Sequence, residues 1–410
     1  MLVLVLNCGS SSVKYQLIDT SLEQIEANAD RLLARGTIER IGSGSALHTY
    51  APAGRDKTSE PGELLEHRHA VAEILRLLTD PERGVVKSPD DIGAVGHRMV
   101  HGGEKFSQSA LITPEVERGI QDCSELAPLH NPHNLRGYDA AKRILPHVPH
   151  AAVFDTAFHH TMPQHAYLYG LPYVLYQRHQ IRRYGFHGTS HRYVSWRSAA
   201  LLGRPREETR LVACHLGNGA SVCAIERGRS IDTSMGFTPL EGLLMGTRTG
   251  DIDPSVVFYL MHKEDLSEHE VTALLNKHSG LYGVSGLSND MRELLAAEAL
   301  GNARARLAID MFCYRIRKYI AAYAGAMGGV DGVIFTGGIG ENAPAIRERS
   351  LLGLEFIGLR VDTARNDSLR GSEGEFSAPD SRVKALVIPT NEELLIARDT
   401  VRVVTGVMAH

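Results

Sequence analysis

Three strands in this sequence each lead into a turn that is rich in glycine or serine. The first unit, residues 2–19, joins an apolar run to an alternating strand through a Gly-Ser turn. Residues 211–226 repeat this strand–turn–strand pattern, and residues 332–342 join a short strand to glycines. Glycine has no Cβ, so such turns allow backbone N–H groups to approach phosphate oxygens closely. With Lys14 just past the first turn, they favour a nucleotide-binding protein.

The rest of the chain alternates predicted helices with strands. Residues 63–78 carry apolar side chains at intervals of three and four, which predicts an amphipathic helix. Residues 42–62 are rich in Gly, Ser, Pro and Ala without periodicity, so we expect a surface excursion with no chemical role. Strands that alternate with helices indicate an α/β fold, and the repeated unit in both halves indicates two related lobes.

Composition excludes several classes of protein. A chain of 410 residues exceeds one ordinary core and suits two large domains, and its net charge of −4 offers no basic excess for nucleic acid. The five cysteines are odd in number and nowhere spaced as CxxC, so neither disulfides nor a zinc site is indicated. No apolar run approaches the length of about 20 residues that spans a bilayer. We therefore expect a cytoplasmic protein without a membrane or nucleic-acid partner.

Two alternative functions fit parts of the pattern. Residues 338–343 satisfy GxGxxA after a strand, with Asp362 about 20 residues on, as in an NAD-dependent oxidoreductase. Against this, Glu341 would place a negative charge beside a pyrophosphate. A non-catalytic ATP-binding module is the second alternative. Zinc is not expected at His187 and His191, because the glycines around His187 are poor helix formers and no third ligand is evident.

Ionisable side chains are concentrated in glycine-rich loops. Arginine beside glycine suits bidentate binding of carboxylate or phosphate, and a histidine donor can stabilise a phosphoryl group during transfer. The Walker A pattern is absent, which argues against a P-loop enzyme. Magnesium would accompany a nucleotide, with Asn7, Asp155 and Glu392 as candidate oxygen ligands. The loop residues are Arg98, His101, His130, Asp155, His187, His191, Arg248, Asp251 and Asp253.

The order of these loops resembles the acetate kinase family, within the superfamily of acetate and sugar kinases, Hsp70 and actin. The resemblance extends from end to end of the chain. Its motifs are, in order, LNCGSSSVKY, GHRMVHGG, APLHNPHN, VFDTAFH, YGFHGTSH, HLGNGAS, MGTRTGDIDP, SNDMRE, FTGGIGEN and PTNEELLIA.

The resemblance implies an architecture of two actin-like (ribonuclease H-like) lobes with a cleft between them. Residues 1–154 and 393–410 would form the lobe on the substrate and phosphate side, with the C-terminal helix returning to it. Residues 155–392 would form the lobe for ATP binding and for a homodimer.

The resemblance also implies the site residues. Arg98 would hold the substrate carboxylate, Asp155 would be the catalytic acid/base, and His187 and Arg248 would stabilise the transition state. Asn7 and Glu392 would serve magnesium, with Mn²⁺ able to substitute. The acyl pocket would consist of Val100, Leu129, Phe186 and Pro239. The ATP/ADP site would comprise Asn7, Ser10, Ser12, Lys14, His215, Leu216, Gly217, Asn218, Gly219, Asp290, Met291, Arg292, Gly338, Ile339, Gly340, Glu341 and Asn342.

The implied reaction is the reversible conversion of acetate and ATP to acetyl phosphate and ADP, by direct in-line transfer. A propionate kinase is the alternative, since relatives that prefer propionate have a smaller residue at the position of Val100. Acetate is already ionised at pH 7, so its attack needs no general base, and we expect Asp155 to orient the magnesium shell instead. Two anions at 4 Å repel by about 4 kcal/mol at an effective dielectric of 20. Arg98, Arg248, His187 and Mg²⁺ would offset this repulsion.

Overall fold

The computed structural model describes residues 1–128 and 130–407. The chain divides into two compact units, unit 1 (Met1–Ala157 with Asn391–His410) and unit 2 (Phe158–Thr390). In chain order the strands are β1 (Leu2–Cys8), β2 (Ser12–Asp19), β3 (Arg31–Glu39), β4 (Ala46–Pro52), β5 (Thr58–Gly62), β6 (Ile92–Met99), β7 (Ala110–Leu111), β8 (His150–Phe154), β9 (Arg210–Leu216), β10 (Ala220–Glu226), β11 (Arg229–Thr233), β12 (Gly332–Thr336), β13 (Gly374–Glu375) and β14 (Lys384–Val387).

The helices cover the faces of the two sheets. They are α1 (Leu22–Ala27), α2 (His67–Leu78), α3 (Pro114–Asp122), α4 (Asn131–Ile144), α5 (Gln164–Tyr167), α6 (Tyr173–His179), α7 (Gly188–Leu202), α8 (Pro254–Lys263), α9 (Glu268–Lys277), α10 (Gly280–Ser285), α11 (Met291–Ala299), α12 (Ala303–Ala326), α13 (Gly337–Asn342), α14 (Pro344–Leu351), α15 (Thr363–Ser368) and α16 (Glu392–Val404). Among the described residues, none of these helices has the length and apolar character needed to cross a bilayer.

The two sheets share one topology. The sheet of unit 1 has the order β5-β4-β3-β2-β1-β6-β8-β7, and that of unit 2 has the order β11-β10-β9-β12-β14-β13. In each, a hairpin (β1–β2 or β9–β10) pairs in parallel with a later strand (β6 or β12) through its first strand. Six strands of unit 1 therefore match the six of unit 2 in order, and the predicted α/β fold with two related halves is confirmed.

Strand β1 shows why the N-terminus is apolar throughout. Its side chains alternate between two cores: Leu4 and Leu6 pack with α2 and α4, while Val3 and Val5 pack with α16. A strand that is covered by helices on both faces reads as a continuous apolar run. The predicted hairpin after it is confirmed, with a register from Leu2 opposite Asp19 to Cys8 opposite Val13.

The prediction for residues 42–62 was wrong. This stretch contains β4 and β5, which extend the sheet of unit 1. In β4 the buried residues alternate regularly, but they are Ala46, His48, Tyr50 and Pro52. The period of two was hidden because, among these four residues, only Tyr50 is of a type enriched in strands. The helix expected over residues 63–78 begins only at His67.

Helix α16 lies directly against strand β6. A β-carbon on Gly96 would come within 2.4 Å of Thr400 Oγ1 and 2.9 Å of Ile396 Cγ2. The buried ion pair between Arg398 and Asp30 anchors the same helix to the loop after α1. This close approach fixes the position of Glu392 at the start of α16.

We predict that Gly96→Ala lowers the free energy of unfolding by about 1–3 kcal/mol, because the added methyl group overpacks the contact between sheet and helix. The midpoint of urea denaturation measures this loss. Gly44→Ala is the matched control, since a β-carbon there meets nothing within 4 Å. Equal midpoints for the two variants would contradict the close packing of α16.

Candidate active site

Polar side chains of unit 1 gather where its parallel strands end. Asn7 lies near the end of β1, Arg98 near the end of β6, and Asp155 directly after β8. These three strands are parallel neighbours, so their carboxyl ends meet at one edge of the sheet, where ligands bind in open α/β sheets. Glu392 begins α16 close by, with its Oε2 3.9 Å from Arg98 Nε.

The ion pair between Arg98 and Asp155 is the strongest contact at this edge. Arg98 Nη2 donates to Asp155 Oδ2 at 2.6 Å, and Arg98 Nε lies 3.1 Å from both carboxylate oxygens. Burial opposes the charge of Arg98, but the carboxylates of Asp155 and Glu392 outweigh it and raise the pKa of the guanidinium. The side chain of Asp155 is only 1% exposed, so the pair is rigid as well as charged.

Of the remaining predicted residues of unit 1, Asn7 contacts this pair directly. Arg98 Nη1 donates to Asn7 Oδ1 at 3.3 Å. Lys14 is opposite Asn7 in the hairpin register, which places both side chains on the same face. Ser10 is exposed at the hairpin turn and lines a cavity of about 460 Å³, whereas Ser12 is half-buried. Val100 is buried, and Leu129 lies outside the described residues.

Two buried asparagines hold the loop after β6 in place, and the sequence analysis gave them no role. Asn134 Oδ1 accepts from Val100 N at 3.0 Å, and its Nδ2 donates to Cys8 O at 2.7 Å. Asn131 forms a similar pair of bonds with the backbone of His101. Both belong to the NPHN motif at the start of α4. This pair of asparagines three residues apart is the sequence feature that could have indicated their role.

In unit 2, His187 and Arg248 approach the turn between β9 and β10. A β-carbon on Gly219 would lie 3.6 Å from His187 Nε2 and 3.5 Å from Arg248 Nη1. His187 has φ of 57° and stacks on His215 with 4.3 Å between ring centroids. Arg248 Nη1 also donates to Pro239 O at 3.1 Å, and burial lowers the pKa of this arginine. Two donors therefore converge beside a glycine turn.

A second buried histidine fixes the backbone that leads to His187. His159 Nε2 is 3.0 Å from the carbonyl oxygen of Phe186, which can only accept, so Nε2 carries the proton. His159 Nδ1 then accepts from Ser230 Oγ at 2.8 Å. Phe186 itself is buried. The His159 contact was not anticipated from the sequence.

The acidic residues of the Arg248 loop have structural contacts. Asp251 Oδ1 accepts from Gly242 N at 2.9 Å, and Asp251 Oδ2 accepts from Tyr319 Oη at 2.9 Å. Asp253 caps α8 by accepting from Ser255 N. These bonds close the loop that carries Pro239 and Arg248.

A cavity of about 870 Å³ brings together three segments of unit 2 that were predicted to bind a nucleotide. Its lining includes Gly217, Asn218, Asp290, Met291, Arg292, Gly338, Ile339 and Asn342. Glu348, Asp367 and Arg370 also line it, and no sequence motif had indicated them. The cavity lies beyond the carboxyl ends of the parallel strands β9 and β12, the position expected for a ligand.

The other predicted nucleotide residues lie outside this lining, which does not include His215, Leu216, Gly219, Gly340 or Glu341. Glu341 Oε1 accepts from Gly337 N at 2.8 Å and from Thr390 N at 3.1 Å, so its carboxylate caps backbone groups. Gly337 has φ of 76°, and a β-carbon there would come within 2.7 Å of Leu216 O. Asp362 caps α15, which occupies the carboxylate that the NAD interpretation required.

A glycine-lined cavity at the ends of parallel strands, with a histidine and an arginine beside its turn, defines a phosphotransferase that uses a nucleotide. The chain belongs to the Acetokinase family, whose model matches residues 2–398.

Individual relatives agree with this assignment. The chain is 55% identical over 408 residues to the acetate kinase of Caldanaerobacter subterraneus subsp. tengcongensis, covering 99% of this chain and 100% of that protein. Its structure is similar to that of Porphyromonas gingivalis acetate kinase, with a TM-score of 0.92, 48% identity and coverage of 98% and 99% of the two chains. A propionate kinase from Francisella tularensis is also similar, with a TM-score of 0.89, 41% identity and coverage of 97% and 98%.

Proposed function

We propose that this protein catalyses the reversible reaction of acetate with ATP to give acetyl phosphate and ADP. Membership of the Acetokinase family and relatives named acetate kinase at 52–55% identity support it. The structural observation that carries the proposal is the cavity of about 870 Å³. Three segments that are separate in sequence line it: the turn after β9, the start of α11 and helix α13. Phosphorylation of propionate is the alternative, and it is supported by the similarity of the chain to a propionate kinase structure.

We place the nucleotide in that cavity. Gly217 and Asn218 of the turn and Gly338 and Ile339 of α13 would lie beside phosphate oxygens, because all four line the cavity. Asp290 caps α11 and pairs with Arg292, so this segment presents a polar wall.

We assign Arg98 to the substrate carboxylate. Its Nε and Nη2 donate to Asp155 and its Nη1 donates to Asn7, which leaves one proton on each of Nη1 and Nη2 for acetate. Because both oxygens of Asp155 accept hydrogen bonds from Arg98, we assign Asp155 the orientation of Arg98, and the magnesium-orienting role expected from the sequence is the alternative. Val100, Leu129, Phe186 and Pro239 would surround the methyl group.

Magnesium, or manganese in its place, fits the residues at the edge of the unit 1 sheet. Asn7 and Glu392 offer an amide oxygen and a carboxylate beside Arg98, and hard oxygen donors of this kind suit Mg²⁺. The ion would neutralise phosphate charge when bound.

Transfer requires that positive groups offset the repulsion between acetate and the γ-phosphate. Arg98 would neutralise the attacking carboxylate, while Arg248 and His187 would donate to the phosphoryl oxygens as charge shifts during transfer. No protein group needs to remove a proton, because acetate is already ionised. The bond from acetate oxygen to phosphorus forms as the bond to the ADP oxygen breaks, and the electron pair leaves with ADP.

We predict that the protein, incubated with ATP, Mg²⁺, acetate and hydroxylamine, yields acetyl hydroxamate. Propionate and butyrate in place of acetate measure acyl preference, and acetate should exceed propionate in kcat/KM by at least about 10-fold, since one methylene in a closed pocket is worth about 1–3 kcal/mol. For Arg248→Ala, prepared in the same way, we expect kcat to fall by orders of magnitude with only a modest change in KM. Wild-type protein that forms no hydroxamate with any of the three acids would refute the function.

We predict that Asp155→Asn lowers kcat/KM by about 100-fold, chiefly through KM for acetate, because the amide cannot fix the guanidinium of Arg98. Steady-state kinetics at several Mg²⁺ concentrations measure the effect. Asp30→Asn is the matched control: it disrupts another buried Arg–Asp pair and should lower stability without changing KM. A defect relieved by added Mg²⁺ would instead support the magnesium-orienting role.

We also propose a homodimer formed through unit 2. Helix α8 is largely apolar, yet none of its residues is buried within the chain, and Phe258 and Tyr259 are 65% and 61% exposed. A second copy of this chain would cover that face.

We expect light scattering to give twice the chain mass for the wild type and the monomer mass for Phe258→Asp, because burial of a carboxylate opposes association. Phe356→Asp is the matched control, since Phe356 is 74% exposed in the same unit but does not belong to α8. A monomeric wild type, or a Phe258→Asp variant that remains dimeric, would count against this interface.

A further inference from the structure

One buried hydroxyl connects two histidines beside the phosphate turn. Ser221 Oγ lies 2.9 Å from His187 Nδ1 and 2.8 Å from His191 Nε2. Ser221 is on β10 and fully buried. His191 is one helical turn after His187, and its backbone N donates to His187 O at 2.9 Å. The three side chains therefore form a fixed chain of hydrogen bonds that ends at His187.

The direction of these hydrogen bonds follows from His191. Burial, together with the neighbouring His159 and His215, lowers the pKa of His191 well below its ordinary value, so the ring is neutral and carries one proton. Its Nδ1 is buried and has no hydrogen-bond partner among the described residues. A proton on Nδ1 would be an unpaired buried donor, which is unfavourable. The proton therefore belongs on Nε2, which donates to Ser221 Oγ.

Ser221 has a single proton to donate. With its oxygen accepting from His191, the hydroxyl donates to the nearest remaining acceptor, His187 Nδ1. An Nδ1 that accepts must be unprotonated, so the proton of a neutral His187 is on Nε2. That atom is the one 3.6 Å from the β-carbon position of Gly219, next to Arg248 Nη1.

We propose that Ser221 and His191 are positioning residues that hold His187 as the neutral Nε2–H tautomer, so that it donates a hydrogen bond to the transferring phosphoryl group. This inference rests on the proposed function for its catalytic consequence, but the tautomer itself is a property of the free protein. A doubly protonated His187 would need to donate to an oxygen that already accepts from His191, and the Ser221 proton would lose its acceptor.

The decisive experiment is two-dimensional ¹⁵N–¹H NMR on the full chain with labelled histidine, in which the ring signals of His187 are assigned by their loss in His187→Asn. We expect a protonated Nε2 and an unprotonated, hydrogen-bonded Nδ1 in the wild type. A proton on Nδ1 of His187 would overturn the proposal, whether or not any variant folds.

Variants then test the role of the hydroxyl. Ser221→Ala should shift the Nδ1 signal of His187. It should lower kcat by about 10–100-fold, which does not exceed the loss in kcat that follows removal of a whole preorganised donor. The KM values for ATP and acetate should be nearly unchanged. Ser221→Thr keeps a hydroxyl on a strand and should restore the wild-type signal. His191→Gln keeps an N–H donor and should preserve the tautomer.

Ser198→Ala is the matched control for a lost buried hydroxyl. Ser198 is buried on α7 and donates only to the backbone oxygen of Ser195. The Ser198→Ala variant should leave both the His187 signals and kcat unchanged. Equal losses of kcat in Ser221→Ala and Ser198→Ala, with unaltered His187 signals, would show a merely structural serine. If the wild type forms no acyl hydroxamate, the proposed function fails while the tautomer remains measurable.

Discussion

The site depends on the parallel pairing of each hairpin with a later strand. β1 pairs with β6 and β9 pairs with β12, so two strand ends that are distant in sequence meet at one edge of each sheet. In unit 1 this pairing brings Asn7 and Arg98 together, and in unit 2 it brings the β9–β10 turn beside α13. Backbone hydrogen bonds in the two sheets thus determine which loops can act on the same ligand.

Charge in unit 1 is organised around a buried pair. Arg98 could not remain in a half-buried position without compensation, and Asp155 supplies both charge and two acceptors. A bidentate pair constrains the plane of the guanidinium as well as its position. The pair therefore fixes the orientation of Arg98 and Asp155 relative to each other.

In unit 2, hydrogen bonds between neutral groups fix the position of His187. His159 fixes the backbone before His187, and Ser221 fixes the side chain. Asp251 closes the Arg248 loop. The sequence indicated it as a possible site residue, but its carboxylate accepts hydrogen bonds from Gly242 and Tyr319. Rigid supports of this kind allow donors to be aimed before the substrate arrives, which lowers the reorganisation needed during transfer.

The α/β class, the two hairpins and the strand before the glycines at residues 337–340 could be predicted from the sequence, because apolar periodicity and glycine turns are local signals. Its motifs also identified the loops that line the cavity. It missed β4, in which three of the four buried residues are not typical of strands, and it missed Asn134, His159 and Ser221. These roles arise only when the chain folds, since each depends on a partner 27 or more residues away. Hydrogen bonds of such range, including the pairing of Asp155 with Arg98, leave no trace in local spacing.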